Sequence, residues 1–428
     1  MPILKLISED FGNENARGLK WYRDHGGYEG AIKAMGMDPA KVTEEVTISN
    51  LRGLGGAGFP AGKKWSFVPK DSKLPKYLTV NADEAEPGTF KDRYILEWDP
   101  HRLIEGIIIC SWAVGIHTAY IYIRGEYVRP YGILQAAIDE AYAAGILGDR
   151  VLGNDFSLNL YVHRGAGAYI CGEETGLLQS LEGKKGWPRL KPPFPALVGL
   201  FNAPTVINNV ETLSHLRNII LKGGKWFADI GSERNGGTRL FALSGRVKRP
   251  GVYELPMGTP MRELIYEHGG GMIGDRALKA IIPGGASAPV LTADEVDIPM
   301  DFDNLAKVGS MLGSAGIIAM DEDVCMVKTL HRIADFFAHE SCGQCTPCRE
   351  GTGWVYRVVS RILAGKGSAD DLKNLMSIAN FMTGTSICAL SDGASMAYRG
   401  ILKKFPNEIE YHVKNKQCDV EEARLARV

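Results

Sequence analysis

Three cysteines in seven residues, Cys342, Cys345 and Cys348, constrain this chain more than any other feature, because a fourth, Cys388, stands in a separate segment. The run Ser341-Cys342-Gly343-Gln344-Cys345-Thr346-Pro347-Cys348-Arg349-Glu350 places three thiolates around one point, and the fold must bring Ser386-Ile387-Cys388 back to close the set. Four thiolates suit a [4Fe–4S] cluster. Zinc also accepts four thiolates, but its sites usually pair two C-x-x-C knuckles rather than a triple run with one remote ligand. The other four of the eight cysteines, Cys110, Cys171, Cys325 and Cys418, are scattered. Cys325 and Cys418 have no partner spacing and read as structural, and Cys171 reads as a small buried residue rather than a nucleophile. A secreted disulfide framework would be shorter and denser in cysteine.

At 428 residues the chain is too long for one ordinary core. Hydrophobic residues make up 45% and charged residues 23%, the balance of a globular protein, and the formal net charge of −1 gives no field that draws the whole chain to nucleic acid or an anionic membrane. The amino-terminal stretch is expected to hold no signal or transit peptide. Leu103 to Ile123 is the most membrane-like segment, but Glu105 and His117 interrupt it, so a buried helix followed by a strand is expected.

Residues 1–50 read as a polar, helical lead-in. Strands are expected at Lys76–Ala82, Thr118–Arg124 and Ser157–His163, where β-branched and aromatic residues concentrate. Helices are expected at Pro100–Ile116, Arg129–Leu147 and Glu173–Glu182. This alternation argues for a mostly parallel sheet covered on both faces. The proline-rich Pro188–Pro204 segment is expected to be an ordered loop crossing the sheet's edge, because proline lacks the N–H that a helix or inner strand uses. From Thr238 the pattern changes to short strands around Arg249-Pro250-Gly251 and a helix from Thr259 to His268 ended by three glycines. Beyond it, Leu330–Ala338, Thr352–Ala364, Ala369–Phe381 and Ala389–Lys404 carry helical apolar spacing, and a four-helix bundle is the natural packing. Ser368 with Asp371 resembles a capping box.

Two glycine-rich segments follow expected strand or loop ends. Gly53-Leu54-Gly55-Gly56-Ala57-Gly58 satisfies G-x-G-x-x-G, in which glycines let backbone N–H groups approach a phosphate. Alone the pattern is common, and Lys63 and Lys64 beside it can equally be a phosphate charge or a solvated face. Arg164 to Glu174 is the second segment. Between them, Asp83, Glu84 and Glu86 follow the first strand, where open α/β sheets bind ligands. Carboxylates there accept hydrogen bonds from ribose and repel a 2′-phosphate, which favours NADH over NADPH.

Six motifs in one order carry a resemblance: Gly53 to Trp65, Asn81 to Arg93, Gly165 to Gly183, Arg189 to Ala196, Ile207 to Leu213 and Ser341 to Thr352. Together they resemble the family of the NADH-binding FMN flavoprotein (F) subunit of respiratory complex I (NADH:quinone oxidoreductase), the 51-kDa type. The resemblance implies an α/β Rossmann-like FMN/NADH domain over residues 1–237, a ubiquitin-like β-grasp α+β domain over 238–325, and a four-helix bundle with a [4Fe–4S] cluster over 326–428. It assigns FMN and nucleotide contacts to Gly53, Gly55, Gly56, Gly58, Lys64, Asn81, Asp83, Glu84, Gly172, Glu173, Lys191, Asn208, Asn209 and Thr212. Phe59, Phe67 and Phe194 should cradle adenine. Glu86, Glu174 and Tyr169 should contact the ribose and nicotinamide end of NADH. Cys342, Cys345, Cys348 and Cys388 match the cluster ligands. Leu54 stands where the family usually has arginine, and Ala61 where it has threonine.

The activity implied is NADH oxidation by hydride transfer to FMN, with electrons passed singly to the cluster and on toward quinone. The implied partners are a thioredoxin-like [2Fe–2S] subunit (the 24-kDa type, or E subunit) and the multi-cluster iron–sulfur (G) subunit. The implied location is cytoplasmic and peripheral, on the inner face of a bacterial membrane. Two other readings fit parts of the sequence. One is the diaphorase subunit of an NAD-linked hydrogenase or formate dehydrogenase, disfavoured by the short flanks. The other is a zinc-stabilised nucleotide-binding scaffold without redox turnover.

Overall fold

Tyr77–Ala82 (β1), Thr118–Ile123 (β2), Asn159–Arg164 (β3) and Thr205–Asn209 (β4) form a four-stranded sheet in a computed structural model that describes residues 4–425. All neighbouring strands are parallel, in the order β3-β2-β1-β4. The order in which strands are added therefore reverses at β1, whose register sets Asn81 beside Asn209 of β4. That reversal opens a crevice at the carboxyl ends of the two strands, the place where open α/β sheets hold ligands. Local pattern gives no sign of the fourth strand: it follows the proline-rich segment, and its burial comes from pairing with β1.

The crossovers are helical. Pro100–Val114 (α1) begins with proline in its first turn, capped by the Asp99 carboxylate on Arg102 N–H, and ends at Gly115 with φ of 73°. Every residue from Pro100 to Ser111 is buried, which explains the apolar run read from the sequence. Among the described residues no helix is long and apolar enough to cross a membrane. Glu105 on α1 is buried too, and accepts Tyr28 N–H and Ala31 N–H at 3.0 Å each, so it anchors the helical lead-in. Val128–Ala143 (α2) and Glu174–Leu181 (α3) complete this part. The 188–204 segment is an ordered loop fixed by Arg189 N–H on the Thr175 hydroxyl (2.9 Å) and Thr205 N–H on the Pro195 carbonyl (2.8 Å).

A second, mixed sheet contains Thr238–Gly245 (β5), Gly251–Pro256 (β6), Leu278–Ile282 (β7), Leu291–Thr292 (β8) and Gly316–Asp321 (β9) in the order β6-β5-β9-β7-β8. Only β5 and β9 run parallel. The helix expected from Thr259 to His268 differs in kind. Met261–Glu263 is α-helical, then Leu264–His268 widens into a π turn closed by Gly269 N–H on the Leu264 carbonyl (2.8 Å).

The remainder is helical: Met326–Glu340 (α4), Thr346–Leu363 (α5), Asp371–Met382 (α6), Leu390–Lys404 (α7) and Pro406–Asn415 (α8), with a last helix at Asp419–Leu425. Helices α4 to α7 pack in succession, and α4 closes the ring against α7. The first two start earlier than apolar spacing suggests: α4 at Met326, whose N–H Glu408 accepts, and α5 at Thr346, with Pro347 and Cys348 in its first turn. Ser368 and Asp371 do meet: Ser368 N–H donates to Asp371 Oδ2 and its hydroxyl to Oδ1, both at 2.8 Å. The core of these helices is continuous with Tyr122 of β2 and with Ile170, Cys171 and Leu177 before and within α3.

Candidate functional site

A cleft of about 340 Å³ opens at the carboxyl ends of β1 and β4. Its floor comes from the glycine loop (Gly55, Gly56), the segment after β1 (Asn81, Asp83, Glu84, Glu86), the turn before α3 (Tyr169, Gly172, Glu173) and Asn209. A Cβ added at Gly55 would stand 3.0 Å from the Asn209 Cβ and press on that wall of the cleft. Asn81 donates to the Gly172 carbonyl (2.8 Å) and accepts Asp83 N–H (3.1 Å), tying two walls together. Asn209 caps the helix after β4 through Glu211 N–H (3.0 Å) and Thr212 N–H (3.3 Å), and donates to Asp92 Oδ2 (2.6 Å).

The acids of the segment after β1 differ in their surroundings. Burial pushes Asp83 up to about 7, and its Oδ2 is buried without a partner. Burial also raises Glu84 to about 7, with the nearby Asp92 adding to it. Glu84 nonetheless holds backbone N–H groups of Lys91 (2.8 Å) and Asp92 (2.9 Å) and the Tyr127 hydroxyl (2.8 Å). Glu84 is therefore a structural brace as well as part of the cleft wall. Burial raises Glu86 as well, against the Tyr169 hydroxyl at 2.6 Å and Ser287 N–H at 2.7 Å, both of which favour its charge.

Several residues named from the sequence lie off this cleft. The side chain of Asn208 faces Cys110 of α1 (4.0 Å), since successive strand residues point to opposite faces. Thr212 is buried and accepts Leu54 N–H (2.9 Å), so it fastens the glycine loop rather than lining the opening. The buried Leu54 offers its carbonyl to Arg239 (3.1 Å). Gly53 also lies off the lining, its loop closed by hydrogen bonding to Phe59. Gly58, at φ of 64°, packs under the Phe302 ring of the second module.

Lys64, Lys191, Glu173 and Glu174 form a charged group beside the opening. Lys64 lies 3.4 Å from Glu174, and Lys191 lies 2.7 Å from Glu174 and 3.0 Å from Glu173. Burial works to raise Glu174, but the two ammonium groups outweigh it and hold the carboxyl below its ordinary range. Phe59, Phe67 and Phe194 are 43%, 49% and 57% exposed, and Phe59 and Phe67 stand 6.0 Å apart, an apolar surface with no protein cover.

Local sequence reading missed the far side of the cleft. Lys91, only 1% exposed, sits between Asp92 (2.8 Å) and Glu211 (2.6 Å) beneath it. A lysine in the middle of Phe90-Lys91-Asp92-Arg93 gives no sign of burial. Gly284, Ser287, Met311 and Ser314 come from the second sheet's module, and Leu390, Gly393 and Met396 from α7. Only tertiary packing brings these distant segments together.

Ile170 and Leu390 line a second, small pocket as well, together with Cys342, Cys345, Cys348 and Cys388. The remote cysteine has thus returned to the triple run. Ile387 N–H points at Cys345 Sγ (3.3 Å), and the Ser341 hydroxyl meets Cys348 Sγ (3.3 Å). Burial pushes the Cys388 thiol up to about 12, with Cys342 and Cys348 near it, a cost that metal ligation removes. The four cysteines line one small pocket, and their triple run with one remote ligand suits a four-iron cluster. Two residues thus separate a nucleotide-sized cleft from four thiolates.

A family model described as the Nuo51 FMN-binding domain matches residues 46–218. One described as the NADH-ubiquinone oxidoreductase-F iron-sulfur binding region matches 328–412, and an SLBB domain matches 240–291. The chain is similar to the NADH-quinone oxidoreductase F subunit, form 2, of Rhizobium meliloti (strain 1021), 54% identical over 94% of this chain and 95% of that protein. It is also similar to the NADH-quinone oxidoreductase F subunit of Rhodobacter capsulatus, 50% identical over 93% of each chain. Among solved structures it resembles NAD+-reducing [NiFe]-hydrogenase in the H2-reduced state, with TM-score 0.83 and 34% identity over 96% of this chain and 70% of that one. The air-oxidized form gives TM-score 0.80 and 35% identity over 88% of this chain. This chain spans 63% of the air-oxidized hydrogenase chain.

Proposed function

The chain belongs to the family of NADH-quinone oxidoreductase F subunits, and from that premise we propose how its residues divide the work of oxidising NADH. It is an oxidoreductase flavoprotein subunit of complex I, with FMN and a [4Fe–4S] cluster as cofactors and NADH as substrate. FMN, when bound, supplies a two-electron acceptor that releases electrons one at a time.

In our reading, Gly55, Gly56, Asn81, Asp83, Glu84, Gly172 and Asn209 hold the flavin, and the unpartnered Asp83 oxygen supports that fit. Glu86 and Tyr169 orient the ribose and nicotinamide end of NADH. The exposed rings of Phe59, Phe67 and Phe194 receive the adenine, and Lys64 and Lys191 balance Glu173 and Glu174 at the rim. No side chain acts as a nucleophile; the protein binds, orients and excludes water. The acids after β1, Asp83, Glu84 and Glu86, disfavour a 2′-phosphate, which gives NADH preference over NADPH. Cys342, Cys345, Cys348 and Cys388 hold the cluster, with Ile170 and Leu390 as the apolar partition across which electrons leave.

We assign a Rossmann-like domain to 1–237, a β-grasp module to 238–325 and the cluster-bearing bundle to 326–428. The parallel sheet, the SLBB match and the iron–sulfur match support that division. The proposed assembly places the chain beside the thioredoxin-like [2Fe–2S] E subunit and the multi-cluster G subunit, at the inner face of the membrane. The shared wall of the cleft and the cysteine pocket is the observation that carries this reading. The hydrogenase likeness keeps a diaphorase role as the second reading. Native affinity purification tests the choice: recovery of [2Fe–2S] and multi-cluster subunits with NADH:quinone activity is expected, and recovery of a nickel–iron subunit would overturn it.

A further inference from the structure

Away from both pockets, three potential ligands from separate parts of the chain converge. Cys325 precedes α4, His412 lies on α8, and Cys418 precedes the Asp419–Leu425 helix. All three are buried, and one ligand atom from each lies within 4.8 Å of the other two. Cys325 Sγ is 3.6 Å from His412 Nε2. The other ring nitrogen, Nδ1, lies 2.7 Å from the Glu408 carbonyl, which can only accept. The proton therefore sits on Nδ1, and Nε2 turns a lone pair toward the sulfur, the orientation a metal-binding histidine takes.

Cys325 is the residue before α4, and Cys418 the residue before the last helix. Burial, opposed in part by backbone N–H groups, raises both thiols above their ordinary range, a cost that a bound cation would offset. The Lys328 ammonium also lies near both sulfurs. The histidine's own helix is fixed in place: Glu408 accepts Met326 N–H (2.9 Å) and pairs with Lys279 (2.6 Å).

We propose that Cys325, His412 and Cys418 bind one zinc ion, with a solvent-derived oxygen as the fourth ligand. Two thiolates and an imidazole suit a borderline-soft divalent ion, and the close spacing suits a single metal rather than a cluster. Binding releases the two thiol protons to solvent and leaves the Nδ1 proton on its carbonyl. The ion clips α8 and the last helix to the start of α4, and so supports the cluster-bearing helices from the side opposite in sequence to the Cys342 loop.

Metal analysis of the full chain with its partners, purified without chelators, decides the matter. About one zinc per flavin is expected, beside the four irons of this chain's cluster and those of its partners' clusters. Cys418→Ser and Cys325→Ser should each lower zinc to below about one-tenth of an equivalent while flavin and iron stay. Should either variant fail to fold, the zinc-edge absorption spectrum of the wild-type protein decides, with two sulfurs and one nitrogen expected. A four-sulfur shell, zinc retained in both variants, a native Cys325–Cys418 disulfide by mass, or wild-type protein free of zinc would each overturn the proposal.

Discussion

Tyr169 donates its phenolic hydrogen to Glu86 across 2.6 Å, and so joins the two segments that enter the cleft from β1 and β3. The same carboxylate accepts Ser287 N–H from the second module, and Tyr169 N–H donates to Glu340 at the end of α4 (3.0 Å). One pair therefore ties together all three parts of the molecule where NADH is proposed to bind.

Tyr169→Phe removes a donor that favours the charged form of Glu86, whose carboxyl burial already raises. Its pKa rises further, so the acid limb of the kcat/KM profile for NADH moves to higher pH. Glu86→Gln should lower kcat/KM about 10- to 100-fold, roughly 1.4–2.7 kcal/mol of transition-state stabilisation, with flavin content unchanged. Equal loss of flavin and NADH use would contradict a role toward NADH.

Asp83 gives a pH dependence of stability. Its folded value of about 7 lies above the ordinary 3.8, so the folded state holds the proton more tightly across that interval. Stability contributed by the protonated group is present at low pH and declines as pH rises from about 4 to 7. Asp83→Asn should flatten that decline, seen as a smaller fall in Tm of the flavin-depleted chain between pH 5 and pH 8. Identical pH slopes for the two proteins would remove Asp83 from the balance.

The glycine loop separates shape from binding. Gly58 has φ of 64° and a Cβ there would lie 2.7 Å from the Phe302 ring, so Gly58→Ala should destabilise the fold by about 1–3 kcal/mol. Gly55→Ala instead meets the Asn209 side chain inside the cleft and should weaken FMN retention more than it lowers Tm. Thermal denaturation and flavin release measured on both variants check this division.

Much of this was legible in the chain because the signals were local. Strand composition located β1, β2 and β3 to within about two residues, and cysteine spacing called for Cys388 to return to the triple run. The strand β4 was hidden, since its partner is distant in sequence. Lys91 and Ser287 were hidden for the same reason: a buried lysine between two carboxylates looks, in sequence, like any charged loop. Asn208 and Asn209 look equivalent in a motif, yet the two-residue period of a strand sends their side chains to opposite faces. Cys325 and Cys418 lack spacing because His412 and two helix starts, not a local motif, bring them together.

Cluster chemistry separates from flavin chemistry at Cys388. Cys388→Ala should lose most of the iron signal of this chain while NADH still bleaches the flavin, since the cleft does not use that sulfur. Iron analysis and stopped-flow flavin absorbance check it; unaltered iron would remove Cys388 from the ligand set.

Anaerobic titration with NADH, followed by optical and paramagnetic spectra, addresses the shared wall of Ile170 and Leu390 directly. Flavin bleaching should be accompanied by the paramagnetic signal of a reduced four-iron cluster that disappears in Cys388→Ala. Flavin that NADH leaves oxidised, or thiolates that hold no iron, would contradict the electron path from the cleft to the cysteines.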